Sequence, residues 1–97
     1  MKVSNKTIEW VNRRQRQILV HSFLYYQLNE NIISDYTFDL WSKELAEVMQ
    51  NEPELVKQSV YYEAFKDFDG SSGYNLPYSH PDIQDAGMRL LNYVKQK

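Results

Sequence analysis

Four side chains in YYQLNENIISDYTFD, residues 25–39, have types and spacing suited to holding a ligand. Asp35 and Asp39 stand one helical turn apart, so on a helix both carboxylates leave the same face. An ionised carboxylate only accepts hydrogen bonds, and a pair can grip the neighbouring hydroxyls of a ribose, which donate them. Such a pair can also hold a divalent cation weakly. Tyr25 and Tyr26 offer flat faces for stacking on a heterocycle and hydroxyls for a phosphate. On spacing alone, structural roles account for the same residues. Acidic side chains suit the first turn of a helix, beside its unpaired N–H groups, and of two adjacent tyrosines one can pack inward and the other face water.

Other candidates are weaker. Residues 1–16 hold Lys2, Lys6, Arg13, Arg14 and Arg16 against Glu9. The Arg13, Arg14 and Arg16 cluster could meet a phosphate or an acidic protein face, although a solvated helix face is its ordinary role. DFDGSSGYN resembles a calcium loop but fails the EF-hand pattern. Counted from Asp67, Ser72 stands where the glycine belongs and Tyr78 where the bidentate glutamate belongs. KDFDG has one residue too many for the K-x-D-G motif of nucleotidyltransferases, so Lys66 is not read as a nucleophile. His21 and His80 are isolated. No nucleophile–base spacing, metal-binding pair, P-loop or Rossmann glycine pattern is present, so no catalytic or metal-ligating residue is assigned.

The elements that must position these residues read as helices. Ile8, Val11, Ile18 and Tyr25, widened by Leu19, Phe23 and Tyr26, form an apolar stripe on a first helix from about Thr7 to Asn29. The polar run Asn29–Asn31 breaks it. Ser34 is a good N-cap for a second helix, which buries Phe38, Trp41, Leu45 and Val48 and ends near Gln50 or Asn51. Pro53 opens a third helix that reaches Ser59. VYYEAFKDF fits either a helical turn or an extended stretch. FDGSSGYNLPYS reads as an irregular loop or small hairpin near 67–78. A last helix, capped by Ser79 or His80, carries Ile83, Ala86, Leu90 and Tyr93 or Val94 as its buried stripe. The expected fold is all-α, with about four helices in one domain over residues 1–97.

Composition agrees with a small folded domain. The chain has 97 residues, 42% of them hydrophobic, and a net charge of −2. That length holds a thin core. Eight tyrosines favour half-buried positions, pocket walls and interfaces. Cysteine is absent, which excludes disulfides and thiolate metal sites. No apolar run approaches a membrane span of about 18 residues, and the N-terminus lacks the apolar core of a signal peptide. A cytoplasmic location is expected.

ILVHSFLYYQLNENIISDYTFDLWSKELAEVMQNEPEL, residues 18–55, resembles the N-terminal helical subdomain of bacterial NAD-dependent DNA ligases. That family shows an aromatic pair ending one helix, a link of fixed length, then I-[SP]-D-x-x-Y-D-x-L, E-L and P-E-L. The corresponding residues are Tyr25-Tyr26, Ile33-Ser34-Asp35, Phe38-Asp39, Trp41, Glu44-Leu45 and Pro53-Glu54-Leu55. The resemblance covers a helical hairpin of about residues 15–58, leaving a loop and a last helix over 59–97. It implies a site for the nicotinamide mononucleotide half of NAD, formed by Tyr25, Tyr26, Asp35, Phe38 and Asp39. Phe38 departs from the family's tyrosine and lacks its hydroxyl. The ligase's nucleotidyltransferase and DNA-binding domains do not fit in this length, so ligation is not expected. FKDFDGSSGYNLP, followed by a capped helix, looks like small ligase-related bacteriophage proteins.

Two functions are therefore expected. The first is a non-enzymatic phage-type accessory protein that acts through protein interaction, as inhibitor or adaptor of a host or phage protein such as a ligase, nuclease or defence protein. The tyrosine content favours it. The alternative is binding or sequestering of NAD, nicotinamide mononucleotide or an ADP-ribose-like signal between the first two helices. No cofactor is required in the first case; NAD or the mononucleotide is a ligand in the second. The acidic balance and the lack of a DNA-reading motif argue against a nucleic-acid partner.

Overall fold

The first helix begins where a threonine can cap it. Thr7 Oγ1 accepts from the Trp10 N–H at 3.2 Å, and α1 runs Ile8–Ser22. These features belong to a computed structural model that describes residues 7–66, 68, 76 and 80–96. The chain then tightens its face and widens its turn: Phe23–Gln27 is a π-helical segment continuous with α1. Asn29 stops it with a left-handed backbone, φ 55°, a conformation asparagine tolerates better than most residues. The Glu30 N–H reaches back to the Leu24 carbonyl at 2.8 Å and closes the end.

After a short link, Ser34 caps α2, Asp35–Asn51, its Oγ accepting from the Thr37 N–H at 3.1 Å. A four-residue helix α3, Pro53–Val56, follows with proline in its first turn. The expected continuation to Ser59 does not form. Instead the Gln58 and Ser59 N–H groups fold tightly onto Leu55 and Val56, and the Val60 N–H is taken by Asn12 Oδ1 of α1 at 2.8 Å. The Asn12 side chain of α1 thus takes the N–H that would have prolonged the helix. VYYEAFKDF resolves as a turn and one helical turn, α4, Tyr62–Phe65. The last helix, α5, spans Pro81–Lys95, with His80 Nδ1 accepting from the Asp82 N–H as its cap. The expected loop near 67–78 lies outside the described residues, apart from Phe68 and Leu76.

The fold is all-α: five helices and one π segment, with no strand among the described residues. One core joins Val11, Ile18, Leu19 and Leu24 with Leu45 and Val48 of α2, Val56, Phe65, and Ile83 and Leu91 of α5. Burying each such side chain stabilises by about 1.5–3 kcal/mol. Two stripes differ from expectation. Tyr25 is 45% exposed, because the π segment turns it out of the core and towards α2. On α5 the buried residues are Ile83, Gly87 and Leu91, spaced by four. Ala86 and Leu90 are half-buried, while Tyr93 and Val94 are exposed. Gly87 sets that register: a Cβ there would stand 2.6 Å from Phe23 Cδ2, so only glycine lets α5 approach the π segment this closely.

Candidate functional site

Antiparallel packing of α1 and α2 is fixed by a tryptophan on each helix. The Arg14 guanidinium lies 5.0 Å from the Trp10 ring and 5.2 Å from the Trp41 ring, and pairs with Glu44 of α2. Two turns further along α1, His21 meets the edge of Trp41, with centroids 5.6 Å apart and planes at 65°. Trp41 therefore holds two turns of α1 at once. Of the three arginines of the expected basic patch, Arg14 leaves the exposed face that Arg13 and Arg16 share. Arg14 points between the helices, Arg16 is exposed and donates to the Tyr61 hydroxyl at 3.3 Å, and Arg13 is exposed one turn before Arg16.

Beyond this clamp the helices part around a cleft of 380 Å³, a volume within the range of about 300–1,000 Å³ common for small-molecule sites. All five expected residues line it: Tyr25, Tyr26, Asp35, Phe38 and Asp39. Tyr25 and Tyr26 are consecutive, yet both reach the cleft. A π turn rotates successive residues by less than the 100° or so of an α-helix, which brings neighbours closer to one face. Their rings meet edge to face at 4.8 Å and 78°. Phe38 faces them from α2 and is half-buried. Asp35 and Asp39 occupy the mouth, on the first turns of α2. Asp39 holds Lys43 at 3.0 Å, an exposed i,i+4 pair that contributes about 0.3–0.5 kcal/mol. A ligand hydroxyl can displace or share that lysine.

Six residues line the cleft beyond the five expected from the sequence: His21, Glu30, Asn31, Ile32, Ile33 and Ser42. Glu30 adds a third carboxylate to the rim and pairs with Lys95 of α5 at 3.2 Å. His21 and Ser42 lie at the far end. Helical spacing carried the signal for both: His21 is one turn before Tyr25, and Ser42 is one turn after Phe38 and Asp39. Burial pulls the His21 pKa below its ordinary value of 6.5, so the imidazole is neutral at neutral pH. Ser42 is 1% exposed, and its hydroxyl has no hydrogen-bond partner among the described residues. The cleft thus has an acidic mouth, aromatic walls, Ile32 and Ile33 from the link, and a neutral polar end. It can take a flat ring with hydroxyls at the mouth. No group of three or more His, Cys, Asp or Glu among the described residues could hold a metal ion. No described helix is long and apolar enough to cross a membrane.

No family model and no solved structure matches the chain. A segment of 55 residues, 57% of the chain, is 36% identical to the DNA ligases of Thermotoga petrophila and Thermotoga maritima. The matched stretch is 8% of the length of those ligases. Over rather more than half its length, then, this chain is similar to a small part of a DNA ligase.

Proposed function

We propose that the cleft between α1 and α2 binds a nicotinamide-type nucleotide, namely nicotinamide mononucleotide or the same half of NAD. The carrying observation is convergence. Five residues from two helices, matched to the ligase nucleotide site by sequence resemblance, line one cleft of suitable volume. Tyr25 or Tyr26 stacks on the ring, Phe38 packs against it, and Asp35 and Asp39 accept from the ribose hydroxyls. The activity is binding without catalysis. Set beside the resemblance to small bacteriophage proteins, the role is that of an accessory protein in the bacterial cytoplasm that senses or sequesters the nucleotide.

The test is thermal unfolding with NAD, nicotinamide mononucleotide and ADP-ribose. A ligand at 100 times its Kd adds about 2.7 kcal/mol, which in a domain this size raises Tm by about ten degrees or more. The first two ligands should raise Tm, and Asp39→Ala should abolish the rise. No shift with any of the three would sink the proposal. A second reading, an inhibitor or adaptor of a host or phage protein, rests on Tyr36 and Leu40. These are 76% and 43% exposed and stand one turn apart on α2. Pull-down by the intact chain that is lost with Tyr36→Ala would favour it.

A further inference from the structure

The two helices give the cleft a direction. Along α2, Asp35, Phe38 and Ser42 follow one another away from the link, and along α1 Tyr25 is followed by His21. At a rise of about 1.5 Å per residue, Ser42 lies roughly 10 Å beyond Asp35 and about 4.5 Å beyond Asp39. A ligand gripped by its sugar at the mouth therefore presents the outer edge of its ring to Ser42 and His21. Both groups are under-used by the protein itself. The Ser42 hydroxyl is buried with no partner among the described residues. His21 makes an edge contact with Trp41, with no side-chain hydrogen bond among the described residues, and is held neutral by burial. A buried hydroxyl left unpaired is costly, and a ligand that supplies the missing bond recovers that cost.

We propose that Ser42 and His21 form a specificity end that accepts a ring bearing a neutral carboxamide and rejects the corresponding carboxylate. The proposal rests on the nicotinamide-type reading above. A carboxamide offers a donor and an acceptor, matching a hydroxyl and a neutral imidazole, each of which can do either. A carboxylate offers acceptors and a charge. No cationic side chain lines the cleft among the described residues, while Glu30, Asp35 and Asp39 do. The cations nearby are committed elsewhere: Arg14 to Glu44 and two indoles, Lys43 to Asp39, Lys95 to Glu30. A buried carboxylate would then lack a counter-charge, and burying an unpaired charge is heavily disfavoured.

Calorimetric titration of the intact chain with nicotinamide mononucleotide and with nicotinic acid mononucleotide tests this. The amide is expected to bind at least tenfold more tightly. Ser42→Ala, and separately His21→Phe, should each shrink that ratio several-fold, in variants whose melting confirms that they fold. Equal affinity for amide and acid would overturn the specificity end while leaving the ligand site standing. So would an unchanged ratio in both variants. Failure of both nucleotides to bind would remove the ligand reading and this inference together.

Discussion

Gly87→Ala should lower stability, against the usual rule for helices. In a helix interior alanine is favoured over glycine by about 0.8–1.0 kcal/mol. Gly87 is in the middle of α5, so on propensity alone the substitution should raise Tm. Packing opposes it. The new methyl would stand 2.6 Å from Phe23 Cδ2 and 3.0 Å from Phe23 Cε2. Phe23 is 5% exposed, and its ring belongs to the π segment, so it has little room to turn away. Overpacking of this kind costs about 1–3 kcal/mol. Subtracting the propensity gain leaves a net loss of about 1 kcal/mol, or a fall in Tm of about 4–8 °C. Thermal unfolding of wild type, Gly87→Ala, Phe23→Leu and the double variant checks the argument. Without the ring the clash is gone, so Gly87→Ala in the Phe23→Leu background should raise Tm. Asn92→Ala, on the exposed face of the same helix, should raise it in either background. A Tm increase from Gly87→Ala in the otherwise wild-type chain would refute the close-approach argument.

Arg14→Ala removes an ion pair and two ring contacts, and should cost about 1–2 kcal/mol by urea denaturation; Arg14→Lys matching the wild-type midpoint would sink the two-indole clamp. Ser59→Ala strands the buried Gln15 amide, which donates to Ser59 Oγ at 2.9 Å; a loss of about 1–3 kcal/mol is expected, and a neutral result would mean that amide finds another partner. Because burial lowers the His21 pKa, the folded state binds fewer protons than the unfolded chain. Stability from keeping His21 neutral is full above pH 6.5 and declines as pH falls below that value towards the folded pKa. Melting from pH 7.5 down to 5 should therefore show a steeper fall for wild type than for His21→Phe, and equal slopes would contradict the burial.

Much of this arrangement can be read from residue pattern. Ser34 caps where its side chain predicts, and Pro53 and Pro81 sit in first turns. Leu45, Val48, Ile18 and Ile83 are buried as their periodicity implies. The helical residues that converge on the cleft share a simple helical spacing, from His21 to Tyr25 and from Asp35 to Phe38 and Ser42. Three features escaped because their causes are tertiary. The π segment has no local residue signature in FLYYQ. The shift of the α5 stripe to Ile83, Gly87 and Leu91 depends on Phe23, far away in sequence. The halt after Val56 depends on Asn12 and Gln15 of α1, which claim the turn at Ser59 and Val60. Arg13, Arg14 and Arg16 look like one patch in a string of letters, but a helix sends adjacent residues to different sides.

The wide turn at Phe23–Gln27 can also be described as one residue held in reserve. A regular helix closes each bond over four residues, and a π turn over five. The extra residue is absorbed inside the helix, so α1 before it and the link after it each keep their own alignment. Removing one residue there, for example Gln27, would let the segment close as ordinary α-helix without shortening the link. Tyr25 and Tyr26 would be set further apart around that axis, and one of them would leave the cleft. The length of this segment, more than its composition, thus determines that two consecutive tyrosines share one pocket.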